Sequence, residues 1–454
     1  MPPILQAVLP RVASSPVFSL PPGRGHRIVV GAAIVLGLAT ILFAALHGEL
    51  GHAIKQSIEA GNLSASVLKP GQILVSMGLL MLALRTLLWF SYRPFAPARY
   101  GAAPTMTVVI PAYNEGAMVE QSIESVAAAR YPRGRLEILV VDDGSTDDTW
   151  TYIQRAAARH PGLVSTVKLE RNQGKRAALA TGFRAARGEV LVTIDSDSVI
   201  EPGALLAMAG PFRDARVGAV AGKVAALNRD QGIIPRMLHV RYVLSFDFQR
   251  SVQSTYRTVY CCPGALAGYR ASVVREVLEP WLAQRFLGSR CTYGEDRALT
   301  NAILESGFDT VYQASAVVHT LVPNTYLKLC KMYLRWDRSY VREEIRFARI
   351  VWKRPLVPML LAVVEKLTTN LRIPISWAGA GMLAFIAVSD PMAALRILLA
   401  IGVGAGFYML YYVYTERSMR FLHGILYAYF AFFALWWIFP YAVMTVRSRS
   451  WMTR

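Results

Sequence analysis

Three acidic clusters and an Arg-Trp pair lie along this chain, and their residue types suit successive steps of one kind of chemistry. The clusters could seat a nucleotide, hold a divalent metal on its diphosphate and take a proton from a hydroxyl group. The arginine could meet a phosphate, and the flat tryptophan ring could stack on a sugar. In chain order they are Asp142-Asp143-Gly144-Ser145, Asp195-Ser196-Asp197, Gly294-Glu295-Asp296 and Arg335-Trp336.

Asp195 and Asp197 form the candidate metal site. They follow the apolar run 189–194, which predicts a buried strand, and one residue separates them. A hard cation such as Mg²⁺ or Mn²⁺ binds one or two carboxylates together with diphosphate oxygens, and a turn after the strand would bring both side chains to one ion. Pairs of this spacing also occur by chance in loops. The strand before the pair is therefore the argument for a metal.

Candidate nucleotide contacts follow two other predicted strands. Asp142 and Asp143 end an apolar run, and Gly144 permits a tight turn after them. The alternative interpretation is an N-cap for the next helix, where Asp and Ser are favoured. Tyr113 and Glu115, after the first strand, could offer an aromatic face and acceptor atoms to a base, although an ordinary surface loop has the same composition.

Two cations are candidates for contacts with phosphate. Lys175 lies in the segment 171–176, which opens a helix with a glycine and two cations, and helix N-termini attract phosphate. The glycine spacing is not that of a P-loop, and a solvated basic turn is the alternative. Arg335 precedes Trp336 where the chain becomes membrane-like. There the pair could meet a pyrophosphate and a sugar, while interfacial tryptophan is also common at membrane boundaries.

Glu295 and Asp296 are candidates for proton transfer. A carboxylate within hydrogen-bond reach of an acceptor hydroxyl can serve as a general base. The pair precedes a predicted helix at 298–305, so the alternative is a pair of acids that stabilise the first helical turn. The nearby segment 261–264, Cys-Cys-Pro-Gly, permits close backbone approach and could equally be a buried turn of small residues.

Strand-like and helix-like stretches alternate between residues 103 and 322. This alternation predicts an α/β fold with right-handed crossovers and a mostly parallel sheet. Ligands bind beyond the carboxyl ends of such strands, which is where Asp142 and Asp195 fall. The predicted elements are strands at 107–110, 137–141 and 189–194, and helices at 118–130 and from 146.

Composition indicates a membrane protein. The chain has 454 residues, of which 54% are hydrophobic and only 17% charged. Its net charge of +19 would suit nucleic acid, an anionic lipid surface or a phosphorylated substrate. Neither zinc-finger spacing nor an RNA-binding aromatic motif occurs, which argues against nucleic acid as a partner. The four cysteines show no periodic framework and predict reduced thiols.

Long apolar runs flank the α/β region on both sides. Runs at 28–47 and 72–90 predict a transmembrane hairpin whose flanking arginines place both ends inside. Residues 337–352, rich in arginine and aromatics, predict a helix on the membrane surface. The number of later crossings stays open; the candidate segments are 356–370, 373–388, 392–414 and 421–446.

The order and context of these motifs resemble the processive family-2 glycosyltransferases, the group of hyaluronan, NodC-type chitin-oligosaccharide, chitin and cellulose synthases. Segments 109–115 and 141–147 look like the uridine-binding elements of that family. Lys175 looks like its diphosphate-binding lysine, and the pair Asp195 and Asp197 like its D-x-D metal motif.

The acceptor side carries a similar but less complete resemblance. Residues 294–297 are similar to the acceptor-base motif of the hyaluronan and NodC branch, and this resemblance implies that Asp296 is the base. Residues 335–340 resemble the end of the Q-x-x-R-W motif of that branch and the residues that follow the motif. Cys262 and Gly264 fall at acceptor-side positions of that branch. The terminal residues 451–454 look like its W-G-T-R element. Two departures lie here: Met332 replaces the glutamine of Q-x-x-R-W, and the Cys-x-Gly-Pro motif is altered after Cys262.

The resemblance implies a membrane-integrated, processive, inverting β-glycosyltransferase with a cytosolic GT-A domain in the inner membrane. It would use a UDP-sugar, UDP-GlcNAc with or without UDP-GlcA, together with Mg²⁺ or Mn²⁺, and extend a growing polysaccharide. The alternatives are a non-processive transferase acting on a lipid carrier and a silent sugar-nucleotide-binding subunit. The predicted regions are an N-terminal tail and hairpin at 1–100, the GT-A domain at 101–325, interfacial helices at 326–370 and a transmembrane region at 371–454.

Overall fold

The structure, a computed structural model, describes residues 70–389 and 391–448. The described residues form two compact units, one of residues 93–355 and 431–448, the other of residues 70–92 and 356–430 without residue 390. The predicted span at 28–47 and the terminal motif at 451–454 lie outside the described residues.

The first unit is built on a sheet of eight strands. Their order across the sheet is β3-β2-β1-β4-β7-β6-β10-β5, and a separate two-stranded hairpin consists of β8 and β9. The strands are β1 Met106–Ala112, β2 Leu136–Asp142, β3 Val164–Lys168, β4 Val190–Thr193, β5 Ser198–Ile200, β6 Val217–Ala226, β7 Ala267–Arg270, β8 Arg285–Phe286, β9 Ser289–Arg290 and β10 Asp309–Thr320.

One half of the sheet has the predicted parallel arrangement. Strands β3, β2, β1 and β4 are parallel, as are β6 and β10, while β7 runs antiparallel to both of its neighbours and β5 is antiparallel to β10. The sheet is therefore mixed but mostly parallel. Every residue of β1 and β4 is buried, which explains their continuous apolar sequences, because helices cover both faces of such strands.

The helices are numbered along the whole chain. A π-helical turn, Val243–Phe248, joins α6 to α7. The helices are α1 Pro70–Ser91, α2 Met118–Ala127, α3 Thr149–Arg159, α4 Lys175–Ala185, α5 Ala204–Ala209, α6 Ile233–Tyr242, α7 Gln249–Thr255, α8 Ala271–Leu282, α9 Glu295–Glu305, α10 Tyr326–Ile350, α11 Leu356–Ser389, α12 Pro391–Glu416, α13 Phe421–Ala434 and α14 Ile438–Met444.

Helix α10 packs against the short helix α14 within the first unit. The guanidinium of Arg338 donates from Nε and Nη2 to Thr445 Oγ1 at 3.1 and 2.9 Å. Beyond α14, the backbone carbonyl of Ser448 accepts a 2.8 Å hydrogen bond from Tyr293 Oη. Residues 438–448 thus belong to the same compact body as the sheet. The apolar contact between the two helices consists of Cys330, Leu334, Ile438 and Ala442.

The second unit holds most of the long apolar helices. Among the described residues, α11 alone is long and apolar enough to cross a membrane, and α13 with α14 would make a second span only if the two are taken as one bent span. The apolar part of α1, Met77–Ser91, is shorter. The predicted segments 356–370 and 373–388 form one helix, so the boundary predicted at residue 370 falls inside α11, where the polar residues interrupt hydrophobicity without breaking the helix.

Candidate active site

The loops that follow β1, β2 and β4 meet at one edge of the sheet. These strands are parallel neighbours, and their register pairs Ala112 with Asp142 and Val109 with Thr193. Their carboxyl ends therefore deliver Tyr113, Asp143 and Asp195 to the same edge, where ligands of α/β sheets bind. The register thus brings together the loops that carry the candidate nucleotide and metal residues.

Asp142 is a buried carboxylate at the end of β2. Its Oδ1 accepts hydrogen bonds from the backbone N–H of Ser145, at 3.3 Å, and from the Ser145 hydroxyl. Its Oδ2 is also buried and has no hydrogen-bond partner among the described residues. A buried carboxylate oxygen without a donor is energetically costly, and an N–H group of a bound base would satisfy it. Tyr113 and Glu115, both half-buried, lie on the adjoining loop.

Asp143 holds protein backbone. Its two oxygens accept the N–H groups of Gln173 and Gly174, each at 2.8 Å, and burial raises its pKa. Gly144 follows with φ +70°, and a Cβ there would lie 2.5 Å from the carbonyl carbon of Arg171. We predicted that Asp143 contacts the nucleotide, but both of its oxygens anchor the loop that leads into α4. These hydrogen bonds fix the segment that carries Lys175, and a contact of Asp143 with the nucleotide stays a prediction.

Lys175 lies at the centre of the site. Its Nζ is 2.5 Å from Asp195 Oδ1 and 3.2 Å from Glu295 Oε1. Burial opposes the charge on Lys175, but the two carboxylates outweigh it and raise its pKa. A Cβ on Gly264 would lie 2.9 Å from Nζ, so glycine at this position lets the backbone approach the cluster closely. The cation therefore joins the predicted metal site to the predicted catalytic pair.

The predicted metal residues face the same edge but differ in exposure. The Asp195 side chain is 29% exposed and bonded to Lys175, whereas Asp197 is buried and accepts from the hydroxyls of Ser198 and Thr320 at 3.1 and 3.2 Å. Among the described residues, no group of three or more His, Cys, Asp or Glu side chains is placed to hold a metal. Two carboxylates fit a cation whose other ligands are diphosphate oxygens and water.

Glu295 and Asp296 occupy the first turn of α9. This helix begins at Glu295, not at Ala298 as predicted, because Gly294 adopts the left-handed conformation with φ +74° and its carbonyl accepts the first helical hydrogen bond, from Ala298 N–H at 3.1 Å. Lys175 lowers the pKa of Glu295 against the effect of burial. Burial and the Glu295 charge raise the pKa of Asp296. The two acids are thus driven apart in basicity.

The cysteine beside Asp296 is Cys261. Its Sγ lies 3.5 Å from Asp296 Oδ2, and burial raises the pKa of the thiol to about 12, so the sulfur is a neutral thiol. Cys262, predicted to contact the acceptor, is fully buried and donates its backbone N–H to Thr300 Oγ1 at 3.0 Å. Cys261, and not Cys262, is therefore the cysteine whose side chain lies beside Asp296, while the contact of Cys262 with the acceptor stays a prediction.

Gly294 sets how closely α9 and α10 approach. A Cβ on Gly294 would lie 1.9 Å from Ser339 Oγ and 2.5 Å from Ser339 Cβ, and its φ of +74° is unfavourable for other residues. We expect Gly294→Ala to lower the free energy of unfolding by about 2–5 kcal/mol, through overlap and backbone strain. Thermal and denaturant unfolding in detergent would measure the loss.

Gly288 provides the matched control for this prediction. It has φ +79°, and an added Cβ would have no neighbour within 4 Å, so Gly288→Ala carries only the backbone cost of about 1–2 kcal/mol. Ser339→Gly should partly rescue Gly294→Ala. Equal losses for the two alanine variants would show that contact with Ser339 does not matter.

Trp336 lies on α10 within a group of aromatic rings. Its ring centroid is 5.7 Å from that of Tyr333, 6.3 Å from Tyr242 and 6.4 Å from Phe246, and 36% of the residue is exposed. Arg335, the preceding residue, is half-buried. Met332, at the position that departs from the family motif, is buried with its sulfur 3.8 Å from the Tyr242 hydroxyl. The partly exposed ring is suited to stacking.

Comparison with known proteins identifies the family. The model of the family described as Glycosyl transferase family 2 matches residues 107–278. An N-acetylglucosaminyltransferase of Azorhizobium caulinodans is 30% identical over 353 residues, which are 77% of this chain and 87% of that protein. This chain is a family 2 glycosyltransferase.

A second relative and a solved structure agree. The glycosyltransferase is 31% identical to a hyaluronan synthase of Streptococcus pyogenes over 383 residues, 80% of this chain and 86% of that protein. A mannosyltransferase of Pyrobaculum calidifontis, solved with GDP-Man and Mn²⁺, superposes with a TM-score of 0.56 at 22% identity, covering 79% of this chain and 99% of that one. That likeness supports the GT-A fold predicted for the glycosyltransferase.

Two residues near the site of the glycosyltransferase were missed from its sequence. Phe246 and Arg250 lie in and just after the π-helical turn, where the guanidinium carbon of Arg250 is 4.4 Å from the Phe246 ring centroid. An arginine four residues after an aromatic was the available signal, since such positions face each other on a helix. It carries little information, because the same spacing is common on helices with no function.

Proposed function

We propose that this glycosyltransferase is a membrane-integrated, processive, inverting β-glycosyltransferase that extends a polysaccharide from a UDP-sugar. The observation that carries the proposal is the convergence of Asp195 and Glu295 on Lys175, with Asp296 next in the chain. Relatives named N-acetylglucosaminyltransferase and hyaluronan synthase support UDP-GlcNAc, with or without UDP-GlcA, as donor.

Donor binding would use the loops at the sheet edge. Asp142 Oδ2 would accept an N–H of the base, with Tyr113 and Glu115 alongside. Lys175 would bind the diphosphate, and Arg335 would add a second cation. Each of these two cations would contribute several kcal/mol to stabilising the charge of the leaving diphosphate.

Asp195 and Asp197 would hold Mg²⁺ or Mn²⁺. Their oxygen donors suit these hard cations, and the mannosyltransferase with the similar fold was solved with Mn²⁺. The bound ion supplies charge neutralisation on the diphosphate. The ammonium group of Lys175 donates a hydrogen bond to Asp195 Oδ1 and so holds that carboxylate in the site.

Removal of divalent metal is expected to abolish sugar transfer. EDTA should stop UDP release, and added Mn²⁺ or Mg²⁺ should restore it. Asp197→Asn should raise the metal concentration for half-maximal rate by at least about tenfold. Asp230→Asn, a change on a side chain that is 63% exposed, serves as the control. An unchanged metal requirement in Asp197→Asn would contradict the assignment of this ligand.

Sugar transfer would proceed by a single displacement. Asp296 accepts the proton of the acceptor hydroxyl, the hydroxyl oxygen bonds to the anomeric carbon, and the bond from that carbon to the diphosphate oxygen breaks as UDP leaves. One base and in-line attack invert the configuration. The raised pKa of Asp296 suits this role, because a more basic carboxylate takes the proton more readily.

Trp336 would stack on the growing polysaccharide next to the base. We infer that the chain then leaves through membrane helices of the same protein, with the catalytic unit on the cytosolic side of the inner membrane. Helix α11, the clear candidate span among the described residues, supports a membrane location. The net charge of +19 also supports it, because anionic lipids attract basic residues.

The deciding experiment uses purified protein in lipid nanodiscs with Mn²⁺. UDP-GlcNAc, UDP-GlcA and UDP-Glc are offered singly and in pairs, and UDP release and product size are recorded. A long product from one or two donors supports the proposal and identifies the polymer. Formation of single-sugar lipid products alone would contradict processivity. Absence of UDP release with all three UDP-sugars would contradict the assignment of these compounds as donors.

A further inference from the structure

One buried arginine contacts both the aromatic group around Trp336 and the chain beside Asp296. The Arg250 guanidinium carbon lies 4.4 Å from the centroid of the Phe246 ring. Its Nε donates to the carbonyl of Cys261 at 3.0 Å, and its Nη1 donates to the carbonyl of Ser245 at 2.9 Å. Arg250 is 9% exposed.

On one side, Arg250 packs against Phe246, which belongs to the group of aromatic rings around Trp336. The Phe246 ring packs edge-on against Tyr242 at 4.8 Å and against Trp336 at 6.4 Å. Phe246 lies in the π-helical turn, a local distortion that is frequent at functional sites. The next residue, Asp247, fixes this turn to the sheet by accepting from Lys223 Nζ at 2.9 Å and from the Tyr312 hydroxyl at 3.0 Å.

On the other side, Arg250 holds the segment that borders the base. The carbonyl it binds belongs to Cys261, whose sulfur lies 3.5 Å from Asp296 Oδ2. The next residue, Cys262, donates its N–H to Thr300 Oγ1 on α9. The Arg250 side chain therefore connects the aromatic group around Trp336 to the surroundings of the Asp296 carboxylate.

Within the described part of the chain, Arg250 is a buried cation without an ion pair. Among the described residues, no carboxylate lies within salt-bridge distance of Arg250, whose guanidinium contacts two backbone carbonyls and one aromatic ring. A buried charge without an ion pair is costly to stability. Burial accordingly lowers the pKa of Arg250. Such a cost is commonly tolerated at sites where geometry serves function.

We propose that Arg250, with Phe246, is a positioning residue that fixes the spacing between the Trp336 platform and Asp296. An acceptor sugar stacked on Trp336 then presents its terminal hydroxyl to the base. This inference rests on the proposed roles of Trp336 and Asp296. Arg250 acts through Phe246 and the Cys261 carbonyl, and the ligand that it serves is the terminal sugar of the acceptor chain.

Loss of this spacing should uncouple donor cleavage from transfer. Arg250→Lys keeps the charge but removes the planar group over the ring, and Phe246→Leu removes the ring itself. Water would then take the place of the misplaced acceptor hydroxyl in attacking the anomeric carbon. We expect about a three- to tenfold rise in UDP released per sugar incorporated, and shorter products, with the donor KM changed less than twofold.

Arg270→Lys provides the matched control. Arg270 also lies over a ring, 5.7 Å from the centroid of Phe212, and donates to the carbonyls of Val217, Phe212 and Asp214. It sits at the end of β7 that pairs with Val190, at the start of β4, away from Asp195. The same change there should leave the ratio of UDP to incorporated sugar as in the parent.

The measurements use full-length protein in nanodiscs with the donors on which the parent is active. An unchanged ratio in both Arg250→Lys and Phe246→Leu, or a fall in rate matched by Arg270→Lys at equal loss of thermal stability, would overturn the proposal. A parent protein that adds only single sugars would contradict processivity, yet the ratio would remain measurable on that transfer. The two failures are therefore distinguishable.

Discussion

Replacing Asp296 by asparagine should lower sugar transfer by about 10²- to 10⁴-fold while UDP binding persists. Asparagine matches aspartate in shape, and its carbonyl oxygen can still accept the 2.7 Å hydrogen bond from Arg297 N–H. Its amide cannot take a proton from a hydroxyl. Turnover would be measured by UDP release and binding by calorimetry with UDP. Asp230→Asn, on an exposed side chain, is the control.

A rate above about one-tenth of the parent value in Asp296→Asn would contradict the base assignment. Loss of UDP binding together with the rate would instead indicate that the carboxylate supports the donor site. The two results separate a chemical role from a structural role for Asp296.

The same carboxylate should set the acid limb of the pH profile. A base works when deprotonated, so the rate rises with pH through its pKa. Burial and the charge of Glu295 raise the pKa of Asp296, which places this limb above the ordinary aspartate value of about 3.9. Glu295→Gln removes one of these causes and should move the limb to lower pH. A shift to higher pH would contradict this account.

Replacing Lys175 by glutamine should lower kcat/KM by on the order of 10²- to 10³-fold. The substitution removes the cation expected on the diphosphate. It also leaves Asp195 and Glu295, which Lys175 Nζ contacts at 2.5 and 3.2 Å, without the charge between them. Donor affinity and turnover should therefore both fall, measured by UDP binding and by steady-state rates.

Two further variants sharpen the Lys175 prediction. Lys175→Arg should also be impaired. A Cβ on Gly264 would lie only 2.9 Å from Lys175 Nζ, so the backbone of Gly264 is close and a guanidinium group would need more room than the ammonium. Lys353→Gln, on a side chain that is 58% exposed and pairs with Glu305 at 3.5 Å, should be nearly neutral. Normal kinetics in Lys175→Gln would remove the lysine from the donor site.

The positions of the strands and of the acids at their ends could be predicted because both depend on local sequence. Apolar runs in β1, β2 and β4 are buried on both faces, and the polar residue that ends each run must lie at the sheet edge. The antiparallel strand β7 was not foreseen, since its pairing with β4 and β6 depends on contacts between distant residues.

The directions in which loop side chains point could not be predicted from the local sequence. Asp143 turns to the backbone of Gln173 and Gly174, and Cys261 rather than Cys262 faces Asp296, because each loop path is set by neighbouring loops. The sequence predicts the start of α9 three residues late, because the local pattern does not show that Gly294 adopts the left-handed conformation from which the helix begins. A single π-helical turn is too short to produce a hydrophobic periodicity that could be recognised in the sequence.

The packing of residues 438–448 on α10 has a consequence for how this enzyme can be divided. Helix α10 contacts α9 through Ser339 and contacts the C-terminal segment through Arg338 and Thr445. A protein ended after Pro355 to obtain a soluble catalytic fragment would expose the apolar face of α10 and free the helix that carries Trp336. A smaller enzyme would have to retain that distant segment, joined by a linker that bypasses α11 and α12.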